Sequence, residues 1–382
     1  MTLGKLAHLP DVAEIVMGQS PPGDTYNEMG DGLPFFQGKA EFGEVSPIAR
    51  KWCNAPKKIA EAGDILMSVR APVGPTNLAN EKCCIGRGLA AIRANPDVLD
   101  PTYLRFALRH AEPRLASMGQ GSTFAAIGRA ELATTQFPLP PLPQQRRIVD
   151  LLSRAEGIVR LRREAEKTAA ELIPALFLGM FGDPATNPKG WPMATVGSVL
   201  DAVDYGSSSK ATSDGAGLPM IRMGNVTYAG NLDLADLKYV DLPAAEAERY
   251  ALHEGDILFN RTNSKELVGK TGLWDGSCEA IVASYFIRLR VQSEVVNPHY
   301  LWAFMNSAHM KRVIFDTARG AIGQSNINSK ELKAFPLPVP PLPLQEQFAL
   351  HCADVSEMVA QQSAATSKAK ATFDALLAQT FS

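Results

Sequence analysis

The chain has 382 residues, 46% of them apolar and 20% charged, which is long for one compact core, natural for two, and too hydrophobic for a disordered chain. Thirty-eight basic residues against forty acidic ones give a net charge of −2; this excludes a uniformly cationic nucleic-acid binder, so any phosphate binding must be local. No apolar stretch approaches the ~18 residues that cross a bilayer, and Asp11 and Glu14 stand where a secretory leader would be apolar, so no membrane partner and a cytoplasmic location are expected.

Short β-branched runs broken by Gly, Pro, Asn and Asp predict strands at 64–69 (DILMSV) and 90–94 (AAIRA), followed by a helical patch at 101–114. A proline-rich segment, FPLPPLPQQRR at 137–147, then leads into apolar residues that recur every three and four positions. They are Ile148, Leu151, Ala155, Ile158, Ala165, Ala169, Leu172 and Leu176, with Arg162 as the polar member. The pattern predicts an amphipathic helix with a coiled-coil seam over about 145–180, roughly 50 Å long, weakened at Gly157 and kinked or ended at Pro174.

The second half repeats this plan. Strands are predicted at 256–260 (DILFN) and within 279–291, a helical patch at 298–315, and the proline segment FPLPVPPLPLQEQ at 335–347. A final helix carries its seam through Phe348, Val355, Met358, Ala365, Ala369 and Leu376, with His351, Gln362, Thr372 and Gln379 as polar members. Pro141, Leu142, Pro143 and Gln145 answer Pro341, Leu342, Pro343 and Gln345, and Gly63-Asp64-Ile65-Leu66 answers Gly255-Asp256-Ile257-Leu258. The implied fold class is mixed α/β (α+β): two similar globular domains, at 1–143 and 182–343, separated by two long antiparallel coiled-coil helices, at 144–181 and 344–382. The internal repeat is pseudo-two-fold. Antiparallel pairing would bring Arg162 near Gln362, a polar pair that fixes register at some cost in stability.

The five cysteines have no two-residue spacing and are expected to be small buried side chains; the six histidines are scattered singly, so no metal site is expected.

In chain order, GQSPPGDTYNE (18–28), LPFFQGKAEFG (33–43), GDILMSVRAPVG (63–74), LPMIRMGNV (218–226), GDILFNRT (255–262) and both proline-to-helix segments resemble the specificity subunit of type I restriction-modification enzymes. The resemblance covers essentially the whole chain. It implies two target-recognition domains, each reading one half of a split site in double-stranded DNA. It also implies helices that dock two DNA adenine methyltransferase subunits, to which translocase-nuclease subunits attach. On this reading the chain has no catalytic residues and no cofactor of its own, and S-adenosylmethionine, ATP and Mg belong to the partners. Neither the half-site sequences nor the spacer length transfers with the resemblance.

Candidate DNA contacts are loop residues able to reach phosphates or base edges. In the first module these are Gln19, Ser20, Gln37, Lys39, Arg70, Arg87, Gln120, Ser122 and Thr123. In the second they are Ser208, Ser209, Lys210, Arg222, Arg261, Thr262, Asn263, Lys265, Lys270, Arg319, Gln324, Ser325 and Asn326. Arg70 and Arg261 stand out because they lie seven and six residues after the glycine of the repeated GDIL strand. Residues 1–143 hold fourteen basic and fourteen acidic groups and residues 191–343 hold fourteen and sixteen, so weak DNA binding by the isolated chain is expected. Helix-pairing candidates are Ile148, Leu151, Ala155, Ile158, Arg162, Leu172, Phe348, Val355, Met358, Gln362 and Leu376.

Other readings have thinner support. Asn297-Pro298-His299-Tyr300 brushes against the motif by which adenine methyltransferases hold a flipped base, but Asp100-Pro101-Thr102-Tyr103 occupies the same place in the other repeat, and Pro298 reads as a helix start. Asp316, Glu331 and Lys333 could be forced into a nuclease triad, yet the repeat partner of Lys333 is Ala133. A specificity subunit of another methyltransferase-nuclease system, or a free-standing repressor, would use the same modules.

Overall fold

A computed structural model describes residues 5–119, 125–321 and 324–382, with no side-chain description at 319–321. Two units emerge, one formed by Met1–Arg163 with Ala364–Ser382 and the other by Glu164–Ser363. Each unit therefore combines a sheet region, the head of one long helix and the tail of the other.

The predicted strands lie at the centre of each unit. In the first, an antiparallel sheet runs in the order Ala13–Met17, Leu89–Ala94, Ile65–Ser68, Thr76–Leu78; in the second, Leu200–Tyr205, Phe286–Val291, Ile257–Asn260 and Thr271–Leu273 take the same order. The strands Ile65–Ser68 and Ile257–Asn260 are buried throughout, as a continuous apolar run requires. The aspartate before each is 2% exposed, and a carboxylate so deep must be paired. Arg93 grips Asp64 with two bonds of 2.8 Å, and Arg290 reaches Asp256 at 2.9 Å. A second, mixed sheet in each unit includes a parallel pair, Leu33–Phe36 beside Cys83–Ile85 and Leu218–Ile221 beside Ile281–Val282.

The proline segments are extended, as their missing donors dictate. Gln136–Leu139 pairs with Lys5–His8, and Pro336–Pro338 pairs with Met193–Thr195. Each long helix then starts at a leucine followed by proline in the first turn, where no N–H is needed. A buried glutamine secures that start. Gln145 donates to the carbonyls of Val98 and Pro140 at 2.8 Å and accepts from the Asp100 amide at 2.8 Å. Gln345 makes the corresponding bonds to Val295, Pro340 and the Asn297 amide. Beside these, Tyr103 and Tyr300 donate their hydroxyls to the carbonyls of Pro138 and Pro338.

The first long helix runs from Leu142 to Ala170, breaks at Glu171, and resumes from Leu172 to Phe181. Pro174 is the cause: it offers no N–H to the Ala170 carbonyl and its ring crowds that oxygen. The second, with no proline beyond its first turn, continues from Leu342 to Phe381. In the first unit Leu152 and Val159 join Phe373, Leu377 and Phe381 in one core. In the second, Phe177 and Phe181 pack on Phe348 with ring centroids 5.9 and 5.3 Å away, while Ile173 shares a hollow with Cys352 and Ser356, so these two segments are antiparallel.

The expected seam needs correction. Ile148, Ala155, Phe348, Val355, Ala369 and Leu376 do face the cores, but Leu151 and Ile158 are 46% and 53% exposed and Met358 is 45% exposed. The alternate positions move on by one residue, to Leu152 and Val159 in one helix and Cys352 and Phe373 in the other. Leu172 is half-buried and Ile173 packs on the core.

All five cysteines are free; Cys278 is exposed, against expectation, and the others are buried. Burial pushes the thiols of Cys83, Cys84 and Cys352 up to about 12. Among the described residues no helix is long and apolar enough to cross a membrane.

Candidate nucleic-acid interface

Four of the predicted contacts in the first unit line one open concavity of about 230 Å³: Gln37, Lys39, Arg70 and Arg87. All four side chains are exposed. The loop bearing Gln37 and Lys39 is held by Glu41, whose carboxylate accepts from the amides of Gly38 at 2.9 Å and Gln37 at 3.3 Å. It passes so close to the Arg87 turn that a Cβ on Gly88 would lie 2.2 Å from the Gln37 carbonyl oxygen; only glycine fits there. Ser20 accepts from the Arg87 amide at 3.4 Å, and Gln19 beside it is exposed. Among the described residues no carboxylate forms an ion pair with Lys39, Arg70 or Arg87, so three cations and a glutamine amide face one hollow. Unpaired guanidinium groups on a rigid loop can take a phosphate or a guanine edge by two parallel bonds.

In the second unit the predicted residues meet on a small three-stranded sheet. Thr262 pairs with Asn326, Asn263 with Ser325, and Arg319–Ala321 flanks Gln324–Asn326 on the other side. Ser208 and Lys210 are exposed on the loop after Tyr205, and Ser209 is half-buried. The Arg261 guanidinium lies 4.9 Å over the Tyr205 ring, and its buried Nε has no bond among the described residues. Lys265 is exposed and rests 4.3 Å over the Phe315 ring.

Three candidates are structural instead. Lys270 is 8% exposed and donates to the carbonyls of Met223 and Val226, and burial pushes its ammonium pKa down. Ser325 is 3% exposed. Arg222 donates to the Asp236 carbonyl at 2.9 Å and pairs with its carboxylate at 3.2 Å, closing its own loop. Gln120, Ser122 and Thr123 lie outside the described residues.

Arg70 and Arg261 are not equivalent. The Ile127 amide donates to the Val69 carbonyl and the Ile327 amide to the Arg261 carbonyl, while the Val69 and Arg261 amides donate to Gly88 and Tyr285. The counterpart of Arg261 is therefore Val69, and that of Arg70 is Thr262.

The rival motifs dissolve into structure. Asp100 and Asn297 cap the helices that begin at Pro101 and Pro298, and Tyr300 is fully buried against Phe177 and Phe181. The Glu331 carboxylate accepts from the Asn328 amide at 3.0 Å, as Glu131 does from Gly128 at 2.7 Å, each closing a helix start.

The model of the type I restriction modification DNA specificity domain matches residues 5–171 and again 188–351. The chain belongs to this family. Among its relatives, the MjaX specificity subunit of a type I restriction enzyme from Methanocaldococcus jannaschii is 40% identical over 170 residues, covering 44% of this chain and 40% of the relative. The EcoKI specificity subunit of Escherichia coli is 26% identical over 251 residues, covering 62% of this chain and 53% of the relative. The chain thus spans about half the length of these two relatives. The crystal structure of a type I restriction-modification S subunit from M. genitalium shares the fold, with a TM-score of 0.54 over all of this chain and 97% of that one at 14% identity. Within the family's two repeats, the sequence shows Gln145 and Gln345 recurring but not their role as buried latches, because their partners lie in other chain segments.

Proposed function

We infer that this chain is the non-catalytic DNA-reading subunit of a type I restriction-modification complex, each unit reading one half of a bipartite target in double-stranded DNA. The observation that carries the reading is the concavity of the first unit, where Lys39, Arg70 and Arg87 converge with Gln37 on loops braced by backbone bonds. Local cation clusters of this kind supply affinity that a near-neutral chain otherwise lacks. The long helices would seat two DNA adenine methyltransferase subunits, with translocase-nuclease subunits beyond them; S-adenosylmethionine, ATP and Mg would act in those partners, in the cytoplasm where the DNA lies.

Methylome sequencing of cells carrying the intact system, the system without this chain, and the system with Arg70→Ala tests the reading. A two-part methyladenine motif should vanish without the chain. With Arg70→Ala, one half of the motif should become degenerate or methylation should fall, because a bidentate base contact is worth about 1–3 kcal/mol. A motif identical in all three strains would refute the assignment.

A further inference from the structure

A second cationic hollow in the first unit, of about 400 Å³, lies where the helix Pro101–Ser117 faces the long helix. Arg105 and Arg109, one turn apart, share a single carboxylate: Glu156 receives Arg105 at 2.6 and 3.2 Å and Arg109 at 2.6 Å. Burial alone would push that carboxyl up, but the two guanidinium groups outweigh it and hold it below its usual range. Arg160 and Arg163 project from the next turns of the long helix into the same space, and Lys370 enters from the C-terminal helix. Lys370 is paired with Asp374 at 3.2 Å, and Glu44 also lines the hollow. Five cations thus stand against three carboxylates. The guanidinium groups are partly fixed before any ligand arrives, since Arg109 lies 4.4 Å over the Phe373 ring and Arg105 4.6 Å over Phe106, which lowers the entropic cost of ordering them around a ligand.

The second repeat supplies an internal control. Taking Tyr103 with Tyr300 and Gln145 with Gln345 as matched pairs, the counterparts of Arg105, Arg109, Glu156, Arg160 and Arg163 are Trp302, Asn306, Ser356, Ala360 and Ser363. Trp302 and Ser356 line a hollow at the same place in the second unit. The fold therefore stands without these charges, and the cluster needs another reason.

We propose that this hollow binds a multiply charged oxyanion, the linked phosphoryl groups of a small phosphorylated molecule, held chiefly by Arg105, Arg109, Arg160 and Arg163. Planar guanidinium forks suit phosphoryl oxygens, and the volume falls within the ~300–1,000 Å³ of small-ligand sites. The aromatic faces are already covered by arginines, so the phosphate chain, not a base, is the recognised part. The site is separate from the DNA-reading concavity and does not depend on that assignment.

Titration calorimetry on the full chain with inorganic tripolyphosphate, pyrophosphate, monophosphate and a nucleoside triphosphate tests this. Affinity should rise with phosphate number and fall with salt. Tripolyphosphate and the nucleotide binding alike would identify the phosphate chain as the whole ligand, and a nucleotide bound much more tightly would overturn that identification. The double variant Arg160→Ala/Arg163→Ala, on exposed helical positions that alanine suits, should weaken tripolyphosphate at least about ten-fold, and Arg154→Ala, outside the hollow, should leave it unchanged. Glu156→Gln removes the competing charge and should tighten binding several-fold, an opposite effect that a merely structural role would not produce. Absence of binding, as expected of arginines that serve only a protein partner or the DNA backbone, would overturn the proposal, as would equal binding by the double variant.

Discussion

Replacing Gln145 by alanine would strand the buried carbonyl of Pro140 and, in half-buried surroundings, the Val98 carbonyl and the Asp100 amide. Unpaired buried polar groups cost about 1–3 kcal/mol each, so Gln145→Ala should lower the stability of the first unit by about 3 kcal/mol, read as a shift in its denaturant midpoint, and Gln345→Ala should do the same in the second. A midpoint unchanged in both variants would show that the latch is idle. At this scale the sequence misleads in both directions. Lys270 reads as a loop cation and is spent on interior carbonyls, whereas the glutamines read as a helix start and prove to be buried fasteners. Residue type states what a side chain can bond to, and the partner comes from chain segments 5 to 50 residues away. The cations that line the first unit's concavity could be singled out because Arg70 and Arg87 sit in short loops between strands.

For the elements, the repeat and the helix limits follow closely from the chain, but the helix faces do not. An α-helix turns 3.6 residues per cycle, so alternating steps of three and four keep to one face whichever step comes first. Leu151 with Leu152, and Ile158 with Val159, offer adjacent apolar residues at the ambiguous position. The second helix held the deciding clue: the chosen seam passes through polar His351 and Thr372, where the adjacent Cys352 and Phe373 are the apolar choice, and these are the buried ones. The consequence is measurable. Leu152→Ala should cost about 2–5 kcal/mol by leaving a cavity in the first core, and Leu151→Ala should stay within about 0.5 kcal/mol. Equal losses would restore the seam first expected.

Across the whole molecule, the duplication and the antiparallel pairing of the long helices are visible in the sequence, but the ring contacts that close each unit are not. The first unit joins Met1–Arg163 with Ala364–Ser382 from the far end of the chain. Phe373 lies 6.1 Å from Phe106 and Phe381 5.1 Å from Tyr103, ring to ring, and Leu377 joins the same core. Local periodicity cannot announce such a partner, because an apolar helical stripe records that something covers it and not what. Removing residues 364–382 should therefore strike the opposite end of the sequence. Tyr103, Phe106 and Leu152 would lose their cover, each large apolar side chain so exposed costing about 1.5–3 kcal/mol, which together rivals the whole stability of a domain. Hydrogen exchange on the truncated chain should become fast through Pro101–Ser117 and the strands Ile65–Ser68 and Leu89–Ala94, while Ile257–Asn260 and Phe286–Val291 in the second unit keep their protection. Loss of protection first in the second unit would mean that the C-terminal helix supports a different core from the one it is packed into.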